Sequence, residues 1–385
     1  MSEQRSRPRI PDQIQRELWA RAAGRCEFRG CNELLYKDEL TQQRSNLAVI
    51  SHIVAFSEDG PRGDPVRSKE LEKDIRNLML TCRVHGKIVD DKEKVSDYPE
   101  KLLLEFKREH EQRIRMLTEA KENAQTHVLL LQVSIDARDF QIDQTAAFRA
   151  ILPYYPAEED AWVIDLSGLN ISAESDGFFQ VTAESIAIQT REFLRRHPCG
   201  QSMKNISVFA LAPVPLLVHF GHLLGDLHHI DLYQRHRDSQ EWTWKTEEEA
   251  EQFYEVVEPD VDDDGRANIA LILAVSTSIG REKVDAYVGE DAIVYEIRAS
   301  NPSVDFLRSR KRLEMFGYEV RRLLALIREA HGHDRTVHLF ASVPAPVAIE
   351  FGRAVKAFDP PFVIYEYQKA NHRYIPALII NTHQT

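Results

Sequence analysis

The stretch Ser51–Asp64, SHIVAFSEDGPRGD, followed by Arg76–Asp90, RNLMLTCRVHGKIVD, decides the reading of the N-terminal third. It sets a histidine beside an aliphatic pair (His52, Ile53, Val54), then an asparagine opening an apolar run (Asn77 to Leu80), then Cys82-x-x-His85. Upstream, Cys26-x4-Cys31 supplies two more sulfurs, with 51 residues from Cys31 to Cys82. Three cysteines and a histidine at knuckle spacing are the donor set of a closed, tetrahedral structural zinc site. Such an ion would tie a helix expected over 11–23 to the end of a short ββα unit. Its ligand set is full, so it leaves no position for catalysis. His52, whose ordinary pKa is near ~6.5, suits a general base, and the Asn77 amide suits a clamp on the loop that carries it.

These residues resemble the HNH endonuclease superfamily over roughly 15–95. The match runs through Ser51-His52-Ile53-Val54, then Asn77 to Cys82-x-x-His85, then Ile88-Val89-Asp90. The resemblance implies phosphodiester hydrolysis of double-stranded DNA, with His52 and Asn77 catalytic and Mg²⁺ or a similar divalent cation as catalytic cofactor. Two positions depart from it. Ser51 stands where an acidic residue often precedes the base, and Gly86 stands where a His or Asn would hold the catalytic metal. Asp64, Asp90 and Asp91 are the neighbouring candidates to substitute.

At 385 residues and 43% hydrophobic content, the chain can bury two or three cores. It contains no run of ~18 apolar residues for a transmembrane span and no apolar core for a secretory signal. Three of its four cysteines lie in the zinc motif and Cys199 stands alone, which is metal-site usage in a reducing compartment. A cytoplasmic protein without membrane contact is expected. The net charge of −12 is unevenly spread. Residues 1–122 carry 24 Lys and Arg against 23 Asp and Glu, whereas the remainder carries 25 against 38. Seven arginines between Arg5 and Arg29 provide a local basic arm for DNA phosphates.

The periodicity predicts a strand over 46–54, a helix over 68–80 and a long connector helix over 100–123, whose stripe is Leu103, Phe106, His110, Ile114 and Leu117. Beyond it, strand-like runs at 127–135, 161–166, 205–211, 230–234, 268–276, 292–297, 336–341 and 362–367 alternate with helices. Those helices are expected at 183–197, 216–227, 304–331 and 347–357. Alternating β and α predicts parallel, Rossmann-like sheets. The organisation expected is an α/β chain with a ββα module over 1–95, a linker helix over 96–124 and a sensor over 125–385.

The sensor reads as a duplication. Pro213-Val214-Pro215 recurs as Pro344-Ala345-Pro346, an offset of 131. At the same offset Phe209-Ala210 matches Phe340-Ala341, Phe220-Gly221 matches Phe351-Gly352, Val163 matches Val294 and Asn170 matches Asn301. The halves fall at about 125–255 and 256–385. Ligands of open α/β sheets sit beyond the carboxyl ends of the strands, which puts the Pro213–Pro215 and Pro344–Pro346 loops at the candidate pocket. Arg235 and Arg237 are candidate phosphate contacts, and Trp242 and Trp244 candidate base-stacking surfaces.

The SEDGPRGDP loop joined to this duplicated region resembles the HNH–SAVED effectors of bacterial CBASS anti-phage systems. That resemblance spans nearly the whole chain through FALAPVPLLVHFGHLLGDLHHIDLYQRHRDSQEWTW and LFASVPAPVAIEFGRAVKAFDPPFVIYEYQ. It implies two fused CARF-like units that bind a cyclic oligonucleotide made by a partner cyclase. It also implies a homo-oligomer, a dimer assembling further on activation, whose association switches on DNA degradation. Two phosphate sites related by a pseudo-dyad favour a cyclic dinucleotide over a trinucleotide. A competing reading is a non-catalytic, zinc-containing DNA-binding regulator with a nucleotide sensor. A third, a restriction enzyme reading modified bases, fits symmetric small-ligand clefts less well.

Overall fold

A computed structural model describes residues 8–38, 40–118, 124–134, 141–168, 177–197, 205–226, 229–245, 253–259 and 268–381. Cys199 and Asn170 lie outside them. The chain divides into two compact units, Met1–Lys121 and Glu122–Thr385. Among the described residues no helix is long and apolar enough to cross a membrane.

The first unit contains α1 (Asp12–Arg21), β1 (Ala48–His52), α2 (Arg67–Leu71), β2 (Leu78–Cys82), α3 (Arg83–Val89) and α4 (Glu100–Thr118). β1 and β2 pair antiparallel, with His52 opposite Leu78 and Ala48 opposite Cys82. α3 begins directly after β2, so the order is β, β, α. One apolar cluster holds the unit, with Leu18, Ile53, Leu78, Met79, Leu80 and Val89 at its centre. One expectation is corrected here. The helix expected over 68–80 stops at Leu71, and a single 3₁₀ turn at Ile75–Asn77 leads into β2. The Asp74 carboxylate caps that turn by accepting from the Arg76 amide, and the apolar run after Asn77 is spent on strand pairing. The connector helix also packs on a neighbour. Leu103 and Phe106 of α4 bury themselves in the first unit's core, and His110 Nε2 donates to the Ala22 carbonyl at 3.0 Å. Only the C-terminal part of the stripe, at Leu117, is exposed.

The second unit runs β3 (Gln125–Gln132), α5 (Gln144–Ala150), β4 (Tyr155–Pro156), β5 (Trp162–Asp165), α6 (Phe178–Arg196), β6 (Asn205–Leu211), α7 (Val214–Leu224) and β7 (Ile230–Tyr233). It continues with β8 (Tyr254–Val257), β9 (Ile269–Ala274), α8 (Arg281–Val288), β10 (Ile293–Ala299), α9 (Arg310–His331), β11 (Val337–Ser342), α10 (Ala345–Ala354), β12 (Phe362–Gln368) and β13 (Arg373–Ile380). In the first sheet β3 lies between β5 and β6, with β7 outside β6, all parallel. In the second, β9 lies between β10 and β11, with β12 outside β11, again all parallel. β5, α6, β6, α7 and β7 therefore correspond to β10, α9, β11, α10 and β12, each starting 131 or 132 residues later.

Two antiparallel edge strands, β8 and β13, were not expected from the alternating pattern. Pro376 lacks an N–H, which weakens a strand reading of 373–380, yet an edge strand tolerates it. The two halves meet where α7 crosses α10. A Cβ on Gly221 would lie 2.0 Å from the Ile349 carbonyl oxygen, and a Cβ on Gly352 would lie 2.0 Å from that of Val218. The two contacts exchange under the 131-residue shift, so the crossing has a local two-fold and needs glycine on both sides.

Candidate functional site

At the carboxyl ends of β6 and β11 the second unit opens a cleft of about 620 Å³. Ala212 and Val214 line it from one half, and Val343, Pro344 and Ala345 from the other; of the four prolines expected there, Pro344 is on the cleft wall, whereas Pro213, Pro215 and Pro346 are not among the described residues that line it. Pro213 and Pro344 are the N-caps of α7 and α10, with extended backbone (ψ 146° and 156°) that turns each chain from strand into helix. Pro215 and Pro346 fill the first turns and are buried. Each first turn has few amides left for an anion. Pro215 and Pro346 have none, Leu216 and Leu217 donate to the Pro213 carbonyl, and Val347 and Ala348 donate to that of Pro344. Only the Val214 and Ala345 amides remain, so side chains must supply most contacts to an anionic ligand.

Those side chains come from the loop after β7 and from the end of β12. Arg235, Arg237 and Lys369 line the cleft with Gln234, His236 and Gln240, and among the described residues no carboxylate does. Among the described residues Arg235 and Arg237 have no ion-pair partner, unlike Arg310, which pairs with Asp231. The cleft is a basic locus in an acidic unit. His236 is 6% exposed; burial pushes its imidazole pKa down, and its Nε2 has no hydrogen-bond partner.

The two tryptophans do not line the cleft. Trp242 is 3% exposed and packs edge-on against Phe209 in an apolar cluster with Tyr233. Trp244 is half-buried, with its ring edge-on to His236. The expectation that Trp242 stacks on a base is therefore corrected: its ring fills the core behind β6. Gln234 and His236 line the cleft beside the two arginines, whereas Lys369 was missed. The first two lie in the YQRHR stretch already singled out, but Lys369 belongs to the other half and is reached only through folding.

In the first unit, the ligand atoms of Cys26, Cys31, Cys82 and His85 all lie within 4.8 Å of one another. The Cys82 sulfur is 3.1 Å and the Cys26 sulfur 3.8 Å from His85 Nδ1. A tetrahedral zinc with ~2.3 Å Zn–S bonds needs ligand edges of roughly 3.5–3.8 Å, so the set fits with small adjustments. Gly30, at φ +83°, turns the chain between Cys26 and Cys31. Phe28 stacks on the His85 ring at 4.1 Å and sets its plane. The Cys82 amide donates to the Cys26 sulfur, and the His85 amide to the Cys82 sulfur. Burial pushes the Cys26 and Cys82 thiols up, so only a cation would keep such close sulfurs ionised.

His52 closes β1 and is 4% exposed. Its Nε2 faces the Glu72 carbonyl at 2.9 Å. A carbonyl only accepts, so Nε2 carries a proton and the lone pair of the neutral ring is on Nδ1. Asn77 clamps the next residues: its amide nitrogen donates to the Val54 and Leu71 carbonyls, and its oxygen accepts from the Val54 amide. Arg62, from the SEDGPRGDP loop, donates to the carbonyls of Ile53, Val89 and Tyr98.

The positions considered for a catalytic cation do not assemble one. Gly86 faces β1, and a Cβ there would already lie 3.1 Å from Val49 and from Thr81. Asp64 accepts from the Val66 and Arg67 amides, and Asp91 from the Glu93 amide, so both carboxylates serve as turn caps. Among the described residues no group of three potential ligands includes His52, Asp64, Asp90 or Asp91.

Comparison with known families matches residues 186–380 to the sensor domain described as SMODS-associated and fused to various effectors, SAVED. The chain belongs to the SAVED family. The match starts within α6 and ends on β13, so it takes in the α7–α10 crossing and both Pro-x-Pro loops. Among solved structures the chain is similar to Acinetobacter baumannii Cap4, a SAVED/CARF-domain receptor, with the cyclic trinucleotide 3′3′3′-cAAA. The identity is 13%, the TM-score 0.47, and the coverage 83% of this chain and 67% of that one. It is also similar to the same receptor with 2′3′3′-cAAA, at 14% identity, TM-score 0.46 and the same coverage. Moraxella osloensis Cap4 follows at 11% identity and TM-score 0.43, with 77% of this chain and 60% of that one covered. No curated protein matches.

Proposed function

We propose that this SAVED chain is a cyclic-oligonucleotide-gated DNA endonuclease of anti-phage defence, with the sensor in the second unit and an HNH-type module in the first. One observation carries the sensor half of this reading. The cleft at the two Pro-x-Pro loops holds Arg235, Arg237 and Lys369, and among the described residues no carboxylate lines it, a composition that selects a compact polyanion. Its ring size is open to test, and both cyclic di- and trinucleotides belong in the assay.

The nuclease half draws support from the ββα order, the four gathered ligands and the Asn77 clamp beside His52. In this reading Zn²⁺ held by Cys26, Cys31, Cys82 and His85 staples the small module. His52 accepts a proton from water at Nδ1, while Nε2–H stays on the Glu72 carbonyl and fixes the ring. Because His52 is nearly buried, the reading requires that ligand binding, through subunit association, give it access to substrate.

A second reading is the non-catalytic DNA-binding regulator, favoured by the burial of His52 and by the turn-capping roles of Asp64 and Asp91. Plasmid degradation by the full chain, with a panel of cyclic di- and trinucleotides and with Mg²⁺ or EDTA, separates the two. Cleavage that needs one activator and a divalent cation, and that falls ~10²- to 10⁴-fold in His52→Ala, supports the nuclease. Activator binding without cleavage under any condition supports the regulator. Native mass measurement with and without the activator tests association; an unchanged mass on full activation refutes assembly as the switch.

A further inference from the structure

A second group of potential metal ligands lies in the sensor unit, away from the cleft. We infer that His127, Glu158 and His197 form a site for a borderline divalent transition metal, Zn²⁺ being the ion their donor set suits best. Their ligand atoms all lie within 4.8 Å of one another.

Three separate pieces of local structure bring them together. His127 lies near the start of β3. The Ala157 amide donates to the Thr126 carbonyl at 2.8 Å, which continues the β4 pairing and lays Glu158 beside His127. His197 ends α6, its amide donating to the Phe193 carbonyl at 3.1 Å. The two imidazoles lie 4.0 Å apart, centroid to centroid. Phe193 walls the site, 4.8 Å from the His197 ring and edge-on to His127.

The geometry between His127 and Glu158 is unusual for a plain ion pair. Nδ1 is 2.9 Å from both carboxylate oxygens, whereas one N–H has one hydrogen to direct and prefers a single lone pair. Both carboxylate oxygens and the ring nitrogen are thus gathered where one ion could reach them together with His197. Around zinc with ~2.0–2.1 Å bonds, ligand edges are roughly 3.3 Å, so a modest opening of this pair admits the ion. Two imidazoles and a carboxylate suit zinc and its neighbours better than Mg²⁺ or Ca²⁺, which take oxygen ligands. Solvent would complete the coordination shell. The site would clip together the start of β3, the β4–β5 turn and the end of α6. His127 pairs with Ile206 in the sheet, and the cleft begins at Ala210, so along the strands the two sites are roughly 13 Å apart at ~3.3 Å per residue.

The test is the zinc content of the full chain purified from zinc-supplemented culture, with Co²⁺ spectra as a second readout. The Cys26–Cys31–Cys82–His85 site would give a thiolate-to-cobalt charge-transfer band, and this site cannot. The expected result is zinc bound outside the thiolate site. That zinc should be retained in Cys82→Ser and lost in the His127→Asn, Glu158→Gln double variant, whose thiolate band stays. Glu158 is 46% exposed, so Glu158→Gln alone should fold. It should weaken Zn²⁺ binding by at least ~10-fold and remove the Zn²⁺-dependent rise in the sensor's melting temperature. Absence of zinc outside the thiolate site in the wild-type chain overturns the proposal, as does a second equivalent that survives the double variant.

Discussion

The two units hold their candidate sites by opposite means. The first has one small apolar cluster, and polar groups fix its functional loop: the Asn77 amide on Val54, the Arg62 guanidinium on three carbonyls, and four gathered metal ligands. The second places its cleft on a large shared core and on the backbone-to-backbone crossing of α7 and α10. The difference follows from size. A small module buries too little apolar surface to be rigid and needs staples, whereas the doubled sheet has apolar surface enough to fix two loops by packing.

Removing a staple should therefore produce the largest effect, confined to one unit. Cys82→Ser is expected to cost the first unit most of its metal-coupled folding free energy, on the order of 10 kcal/mol in zinc-stapled modules. Calorimetry should show that unit's transition lost and the sensor's kept; two intact transitions with no zinc bound would remove the staple from the comparison. Next come Gly221→Ala and Gly352→Ala. Each methyl meets a main-chain carbonyl that cannot swing aside, so each should lower sensor stability by about 3 kcal/mol or more. The two losses should be similar, as measured by denaturant unfolding. A large effect at one glycine and none at the other would break the local symmetry.

A smaller effect is expected from acid–base chemistry in the first unit. Burial pushes the Glu27 carboxyl up to about 7 from an ordinary 4.5, against the opposing pull of Lys107. The folded state thus holds this proton more tightly than the unfolded chain does. Its contribution is greatest below about pH 4.5 and fades as pH rises to about 7, by roughly 3 kcal/mol at most. Glu27→Gln should flatten that slope in the first unit's unfolding curve; an unchanged slope would assign it to other groups. The smallest effect belongs to the cleft. Arg235→Ala should weaken activator binding about tenfold, or ~1.4 kcal/mol. Tyr367→Ala, at the equivalent position of the other half (132 residues on, as Tyr365 answers Tyr233 in stacking on the β11 and β6 phenylalanines), should leave it within about twofold. Calorimetric titration of both variants measures how far the symmetry of the frame extends to its chemistry.

What the sequence disclosed, and what it hid, divides along similar lines. The strand at 205–211 and the 131-residue offset were legible because they depend on local periodicity and on repeated Pro-x-Pro and Phe-Gly pairs. The gathering of Cys26, Cys31, Cys82 and His85 was legible because knuckle spacing is a short-range signal. Trp242 was misread because an aromatic beside arginines has the same sequence signature whether it faces a ligand or Phe209. Helix 68–80 was misread because helical spacing carried through a point where the Asp74 cap and strand pairing take over. His127, Glu158 and His197 were not seen at all, since 70 residues separate the first from the last and only β4 pairing and the end of α6 bring them together.

The closeness of α3 to β1 at Gly86 sets a limit on engineering. A designer wishing to install the missing cation ligand would place His or Asn at that position, nine residues after Asn77. Even one added carbon there crowds Val49 and Thr81, so a longer side chain would pry the helix from the strand whose last residue is His52. A gain in metal affinity bought this way would displace His52. A productive redesign must begin by releasing Asp64 or Asp91 from their turns.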